Sequence, residues 1–242
     1  METLVAHIRE RYLQTLENIA AAARTAGRDR ESVRLVVVTK AQPLEVVQAA
    51  VQAGARILGE NYPEESVRKI LSIGPEIGVE WHMIGHVQSR KARLVIEHFD
   101  LLQSLDSLKL AERLNRMAQE TSRVLPVMLE LNVGGEESKY GWPAAHEKDW
   151  PALYTEIEAI LGLEHLQMRG LMTMPPLETD PEEARIYFRT LSLLRDHLAA
   201  RYPQADWREL SMGTSADYEV AVQEGATLVR IGTAIVGPRP DR

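Results

Sequence analysis

One alternation runs the length of this chain and narrows its folds more than any other feature. A short, continuous apolar run is followed by a segment with apolar residues at helical spacing, and the pattern then repeats. The run Leu35-Val36-Val37-Val38 is β-branched and unbroken, as a strand covered on both faces reads. Comparable runs fall at 35–40, 56–59, 80–84, 101–105, 124–131, 166–172, 207–210 and 228–231. Helical patterns lie between them, such as Leu110, Leu114 and Met117, or Leu191, Leu194 and Leu198. Eight runs at a spacing of roughly 25 residues predict an α/β fold, a (β/α)8 TIM barrel, over an open doubly wound sheet. Leu4, Ile8, Tyr12, Leu16 and Ile19 predict an extra N-terminal helix ahead of it. Residues 1–242 contain no linker-like stretch, so they are expected to form a single domain.

Composition removes several function classes. The absence of cysteine excludes disulfides, thiolate chemistry and cysteine-ligated zinc. A net charge of -7 argues against a general nucleic-acid binder. No apolar run approaches the roughly 18 residues a membrane span needs. Met1-Glu2-Thr3-Leu4 lacks the basic-then-apolar start of a secretory signal, so a cytoplasmic location is expected.

In a barrel of this kind the chemistry belongs at the C-terminal ends of the strands. There the chain places Lys40, Asn61, residues 84–86, residues 104–106, Asn132, residues 173–175, and the turns 211–215 and 232–233. Barrels bind phosphate with the loops after their last two strands. Ser211-Met212-Gly213-Thr214-Ser215 is small, hydroxyl-rich and opens a helix, and Gly232-Thr233 gives a second close backbone approach. Plain helix capping explains the same residues without a ligand. Lys40 shares a strand face with Val36 and Val38. On the barrel interior it would be partly desolvated and available as a neutral amine for a carbonyl; on the rim it would snorkel to solvent. Arg230 shares a face with Leu228 and needs a partner, either a carboxylate such as Glu60 or Glu130 or an acceptor atom on a ligand. His82 and His86 lack metal-ligand spacing and read as a core hydrogen-bonding group and a loop contact. Lys139 reads as a solvated loop lysine near the pocket mouth.

These residues stand in motifs. They are Val38-Thr39-Lys40, Gly59-Glu60-Asn61-Tyr62, Trp81-His82-Met83-Ile84-Gly85-His86-Val87-Gln88-Ser89, Gly170-Leu171-Met172, Ser211 to Asp217, and Val229 to Gly237. Through them the sequence resembles the pyridoxal phosphate homeostasis protein family, whose fold is the barrel of the alanine racemase N-terminal domain. The resemblance implies that Lys40 holds pyridoxal 5'-phosphate (PLP) as an internal aldimine. Ser211, Gly213, Ser215, Gly232 and Thr233 would surround the phosphate, Arg230 would face the pyridine nitrogen, and Asn61 and His82 would lie near the ring. It also implies a role in vitamin B6 homeostasis without dedicated catalysis, with PLP-dependent apoenzymes as recipients. A guanidinium cannot accept the pyridine proton, which leaves the ring a weak electron sink. Only residues 238–242 follow the Val229–Gly237 motif, so no second domain is expected to bring a catalytic tyrosine, and a monomer is the expected state. The alternatives are a single-domain PLP-dependent amino-acid racemase and a barrel aldolase using Lys40. Thr39, Thr214 and Arg90 depart from the family's usual Ser, Met and Asn.

Overall fold

The computed structural model describes residues 1–239. Eight parallel strands form the barrel: β1 (Arg34–Val38), β2 (Ile57–Glu60), β3 (Glu80–Met83), β4 (Leu101–Leu105), β5 (Leu125–Asn132), β7 (Leu166–Met172), β8 (Glu209–Ser211) and β9 (Leu228–Ile231). Each pairs with its neighbours in chain order, β9 pairs back onto β1, and pairing of β4 with β5 completes the ring. The two-residue β6 (Trp142–Pro143) adds to the upper end of β5. Helices α2 (Leu44–Ala53), α3 (Pro63–Ile73), α4 (Ala92–His98), α5 (Leu108–Glu120), α6 (Tyr154–Leu161), α7 (Arg185–Arg201) and α8 (Tyr218–Gln223) surround it, and α9 (Thr233–Val236) follows the last strand. The expected N-terminal helix is α1 (Glu2–Thr25), packed on α2, α8 and α9.

The alternation of side chains sorts the apolar residues into two compartments. Val36, Leu101, Met128, Met172 and Leu228 point inward and close the barrel interior, with Ile57 against them. Leu35, Val37, Leu58, Trp81 and Leu129 point outward and meet the helices in the larger core. Val38 and Lys40 continue the inward face of Val36, so the first strand presents the lysine to the interior side. The strand itself stops at Val38, and Thr39 and Lys40 begin the turn that follows. Strand β9 pairs in parallel with β1, which puts Arg230 beside Val36.

Differences from the sequence reading cluster at element ends. The seventh run shortens to three residues, Glu209–Ser211. The helices expected from 89, 150 and 181 begin with short 3-10 turns before α4, α6 and α7. The pairs β6 and α9 carry too few residues for any periodicity to register.

Gly170 shows why one glycine is fixed. The register between β5 and β7 shifts at Val127/Met128, opposite Gly170, whose φ is +147°. A Cβ there would lie 1.9 Å from the carbonyl oxygen of Glu209 on β8. That neighbour is sheet backbone and cannot turn aside. Gly170→Ala is therefore expected to cost at least ~2 kcal/mol in urea unfolding. A change under about 0.5 kcal/mol would show that the strand relaxes freely.

Candidate functional site

A cavity of about 890 Å³ opens at the C-terminal end of the barrel. Its size lies within the range of small-molecule sites. Lys40, Asn61, Ser215, Arg230, Gly232 and Thr233 all line it. His82, Ser211 and Gly213 do not; they sit below or behind its wall.

The turn carrying Lys40 is clamped from outside the barrel. Thr39 is fully buried and its Oγ1 donates to Glu60 Oε1 at 2.7 Å. Lys69, on α3, donates Nζ to the Thr39 carbonyl at 3.0 Å, to Glu60 Oε1 at 2.9 Å and to Glu65 Oε1 at 2.7 Å. Glu65 also accepts the Ala41 N–H at 3.1 Å, and Ala41 has a φ of +58°. The residues on both sides of Lys40 are thus held, one of them in the left-handed region that alanine disfavours. Burial pushes Glu60 up from the usual carboxylate range, against the pull of Lys69 and the Thr39 hydroxyl. Thr39 serves this clamp and does not face the cavity. Glu60 points outward like Leu58, which removes it as a partner for Arg230.

Lys40 is half-buried, and burial lowers its pKa, helped by the nearby cations Arg239 and Arg230 and opposed by Glu60. Its amine loses its proton more readily than that of an exposed lysine.

Across the cavity, the turns after β8 and β9 present backbone. Gly213 has a φ of +91°, and a Cβ would stand 2.6 Å from Ala221 Cβ and 2.9 Å from Tyr218 Cα. Only glycine lets this turn press against α8, and its carbonyl accepts the Arg230 N–H at 3.0 Å. Asp217 Oδ1 accepts the Thr214 N–H at 2.6 Å and its hydroxyl at 3.1 Å, fixing the loop that carries Ser215 and Ala216 to the wall. Thr214 is therefore occupied by the loop itself. Thr233 opens α9, whose first N–H groups have no intrahelical acceptor.

Arg230 forms the floor and is 3% exposed. Burial lowers its pKa to about 10, opposed by Asp217 and Glu130, and it stays a cation at neutral pH. It makes no ion pair among the described residues. It donates NH1 to Ser211 Oγ at 2.5 Å and NH2 to the Thr173 carbonyl and to Met174 Sδ, both at 2.8 Å. Ser211 Oγ donates to Gln103 Oε1 at 2.5 Å. Gln103 Nε2 lies 2.8 Å from His82 Nδ1, and His82 Nε2 lies 3.5 Å from Glu80 Oε2. Of this string Arg230 alone lines the cavity; Ser211, Gln103, His82 and Glu80 do not. Ser211 and His82 belong to the string, one layer below the wall.

At the mouth, His86 Nδ1 lies 2.6 Å from Asp106 Oδ2 and its ring stacks on Tyr140 at 3.9 Å. Lys139 also reaches the wall, with Nζ 3.7 Å from Glu136 Oε2. Arg90 bonds Gln88 at 3.0 Å and stays off the wall. Sequence reasoning weighed Glu130 only as an ion-pair partner, yet it lines the cavity with Oε2 buried and lacking a hydrogen-bond partner. Alternation from Met128 was the available signal for its inward direction. Gln103 was missed, because a glutamine within an apolar run carries no motif.

Residues 13–240 match the family described as "Alanine racemase, N-terminal domain". A pyridoxal phosphate homeostasis protein of Vibrio cholerae is 41% identical over 233 residues, covering 93% of this chain and 95% of its own. PipY of Synechococcus elongatus PCC7942, solved with PLP bound, is 35% identical with a TM-score of 0.81 and covers 95% of this chain and 100% of its own. An alanine racemase of Clostridium difficile 630 shares the fold at a TM-score of 0.70 and 16% identity, with 58% of its length covered.

Removing the cation of the clamp strands a buried carboxylate. Lys69→Met is expected to cost about 3–5 kcal/mol in urea unfolding, and adding Glu60→Gln to recover most of it. A loss below about 1 kcal/mol in the single variant would show that the pair holds nothing in place.

Proposed function

The chain belongs to the pyridoxal phosphate homeostasis proteins, within the alanine racemase N-terminal domain family, and we propose that it binds PLP through Lys40 and serves the supply and balance of that cofactor without a catalytic turnover of its own. One observation carries this reading. A lysine with a lowered pKa shares a cavity with two backbone-presenting turns suited to an anion. An aldehyde bearing a phosphate needs both. Asn61 Oδ1, buried and without a partner, is a further wall group that a ligand would satisfy.

The residues fit the cofactor in kind. When bound, PLP supplies an aldehyde conjugated to a pyridine ring that can draw electrons from an attached amine. Lys40 would hold the aldehyde carbon through Nζ. Ser215, Gly232 and Thr233 would hold the phosphate, with Gly213 shaping the turn beside them. Arg230 would stand against the pyridine nitrogen as a permanent donor, which keeps that nitrogen unprotonated. Its own place is held by Ser211, Thr173 and Met174, and Ser211 in turn by Gln103 and His82. A weak electron sink suits a protein that keeps its cofactor unreacted.

Among the described residues no helix is long and apolar enough to cross a membrane. The reading adds a monomer acting in the cytoplasm, with PLP-dependent apoenzymes receiving the cofactor.

The visible spectrum tests the reading. Protein incubated with PLP and then freed of unbound cofactor by gel filtration is expected to stay yellow, and Lys40→Ala treated alike to lose that absorbance while keeping its fold by circular dichroism. Wild type that emerges colourless from the same treatment would overturn it. Sustained interconversion of single-enantiomer amino acids, abolished by Lys40→Ala, would establish a racemase instead.

A further inference from the structure

Glu130 is the one carboxyl on the cavity wall among the described residues. The wall is otherwise basic, with Lys40, Lys91, Lys139, Arg230 and Arg239. Glu130 lies two residues beyond the inward Met128, near the upper end of β5, and is 9% exposed. Its Oε2 has no hydrogen-bond donor. A buried carboxylate without donors is costly, and protonation or a ligand must relieve it.

The surroundings favour protonation. Asp106, beyond β4, repels a second negative charge, whereas Arg230 on β9 and Lys139 in the loop after β5 attract it without bonding it. The inward residues of the flanking strands, Gln103 on β4 and Met172 on β7, carry no charge. His86 faces the same side but is taken by Asp106. Burial outweighs these charges and lifts Glu130 to about 7. An anion entering the cavity adds repulsion of the same sign as Asp106.

We propose that Glu130 is a ligand-contacting residue that enters the complex as the neutral acid, donating its O–H to an anionic oxygen of a phosphate-bearing aldehyde. Uptake of that ligand is then coupled to uptake of one proton. The inference rests on the PLP reading and adds to it the group that makes retention depend on pH. Glutamine at this position copies the neutral acid: it donates and never ionises.

The test is calorimetric titration of the full-length protein with PLP from pH 6 to 8.5, in buffers of different ionisation heat. Wild type is compared with Glu130→Gln, so proton exchange at Lys40 and on the ligand cancels. At pH 8 wild type is expected to take up close to one more proton than the variant. Above pH 7 the affinity ratio, variant over wild type, is expected to rise toward tenfold per pH unit, and to be near one at pH 6. Infrared difference spectra at pH 8, bound minus free, are expected to gain a carboxylic-acid band in wild type alone. Uptake reproduced by inorganic phosphate places the contact on the phosphate; uptake reproduced by pyridoxal places it on the ring oxygen. Equal proton counts and parallel pH profiles would overturn the inference and leave the PLP reading intact. A variant that binds weakly at every pH would also overturn it, since an ionised acceptor would then be required. Failure of wild type to bind PLP would overturn both.

Discussion

Closure of the sheet by the pairing of β4 with β5 is the constraint on which the rest depends. A closed ring of parallel strands has two faces and no edge, so each side chain is either inside or against the helices. Inside, Val36, Leu101, Met128, Met172 and Leu228 fill the interior as a dry layer. Nothing polar can lie in that layer alone. The polar interior residues therefore gather in the layers beside it, where they bond one another or reach the cavity. The location of the chemistry follows from the geometry of closure before any particular residue is considered.

The string from Arg230 to Glu80 is the clearest result of that layering. Gln103 and His82 come from the neighbouring strands β4 and β3, and Ser211, more than a hundred residues away on β8, meets them across the barrel. Their hydrogen bonds share one direction, which leaves Arg230 as the donor end with its planar group fixed. A buried cation without an ion pair is stable here because neutral acceptors surround it. A second support, the Lys69–Glu60–Glu65 clamp, lies outside the barrel and holds the turn of Lys40. The two principal groups of the cavity are thus braced from opposite sides of the strand wall.

Much of this was legible in the sequence because alternation and strand ends are local signals. Leu35 to Val38 reveals a strand buried on both faces, and its inward residues point to Lys40. Lys40, Asn61, Ser215, Gly232 and Thr233 follow strand ends, which fixes them at the mouth. Ser211 and His82 were harder, since being inward does not tell the layer. Ser211 is the last residue of β8 yet is captured by Arg230, and His82 lies below the wall with Gln103. Glu60 and Glu130 look alike in sequence, but one residue of strand parity sends Glu60 to Lys69 and Glu130 to the cavity. What Glu130 lacks, a donor, is a property of the surrounding strands and could not be read from its own segment.

Lys40, and no other lysine, is proposed as the residue that carries the cofactor. Borohydride reduction of protein incubated with one equivalent of PLP, followed by peptide mass mapping, tests it directly. The expected product is a phosphopyridoxyl group on the peptide containing Lys40, with the other five lysines unmodified. The group on Lys91 or Lys139, or no stable adduct at all, would contradict it.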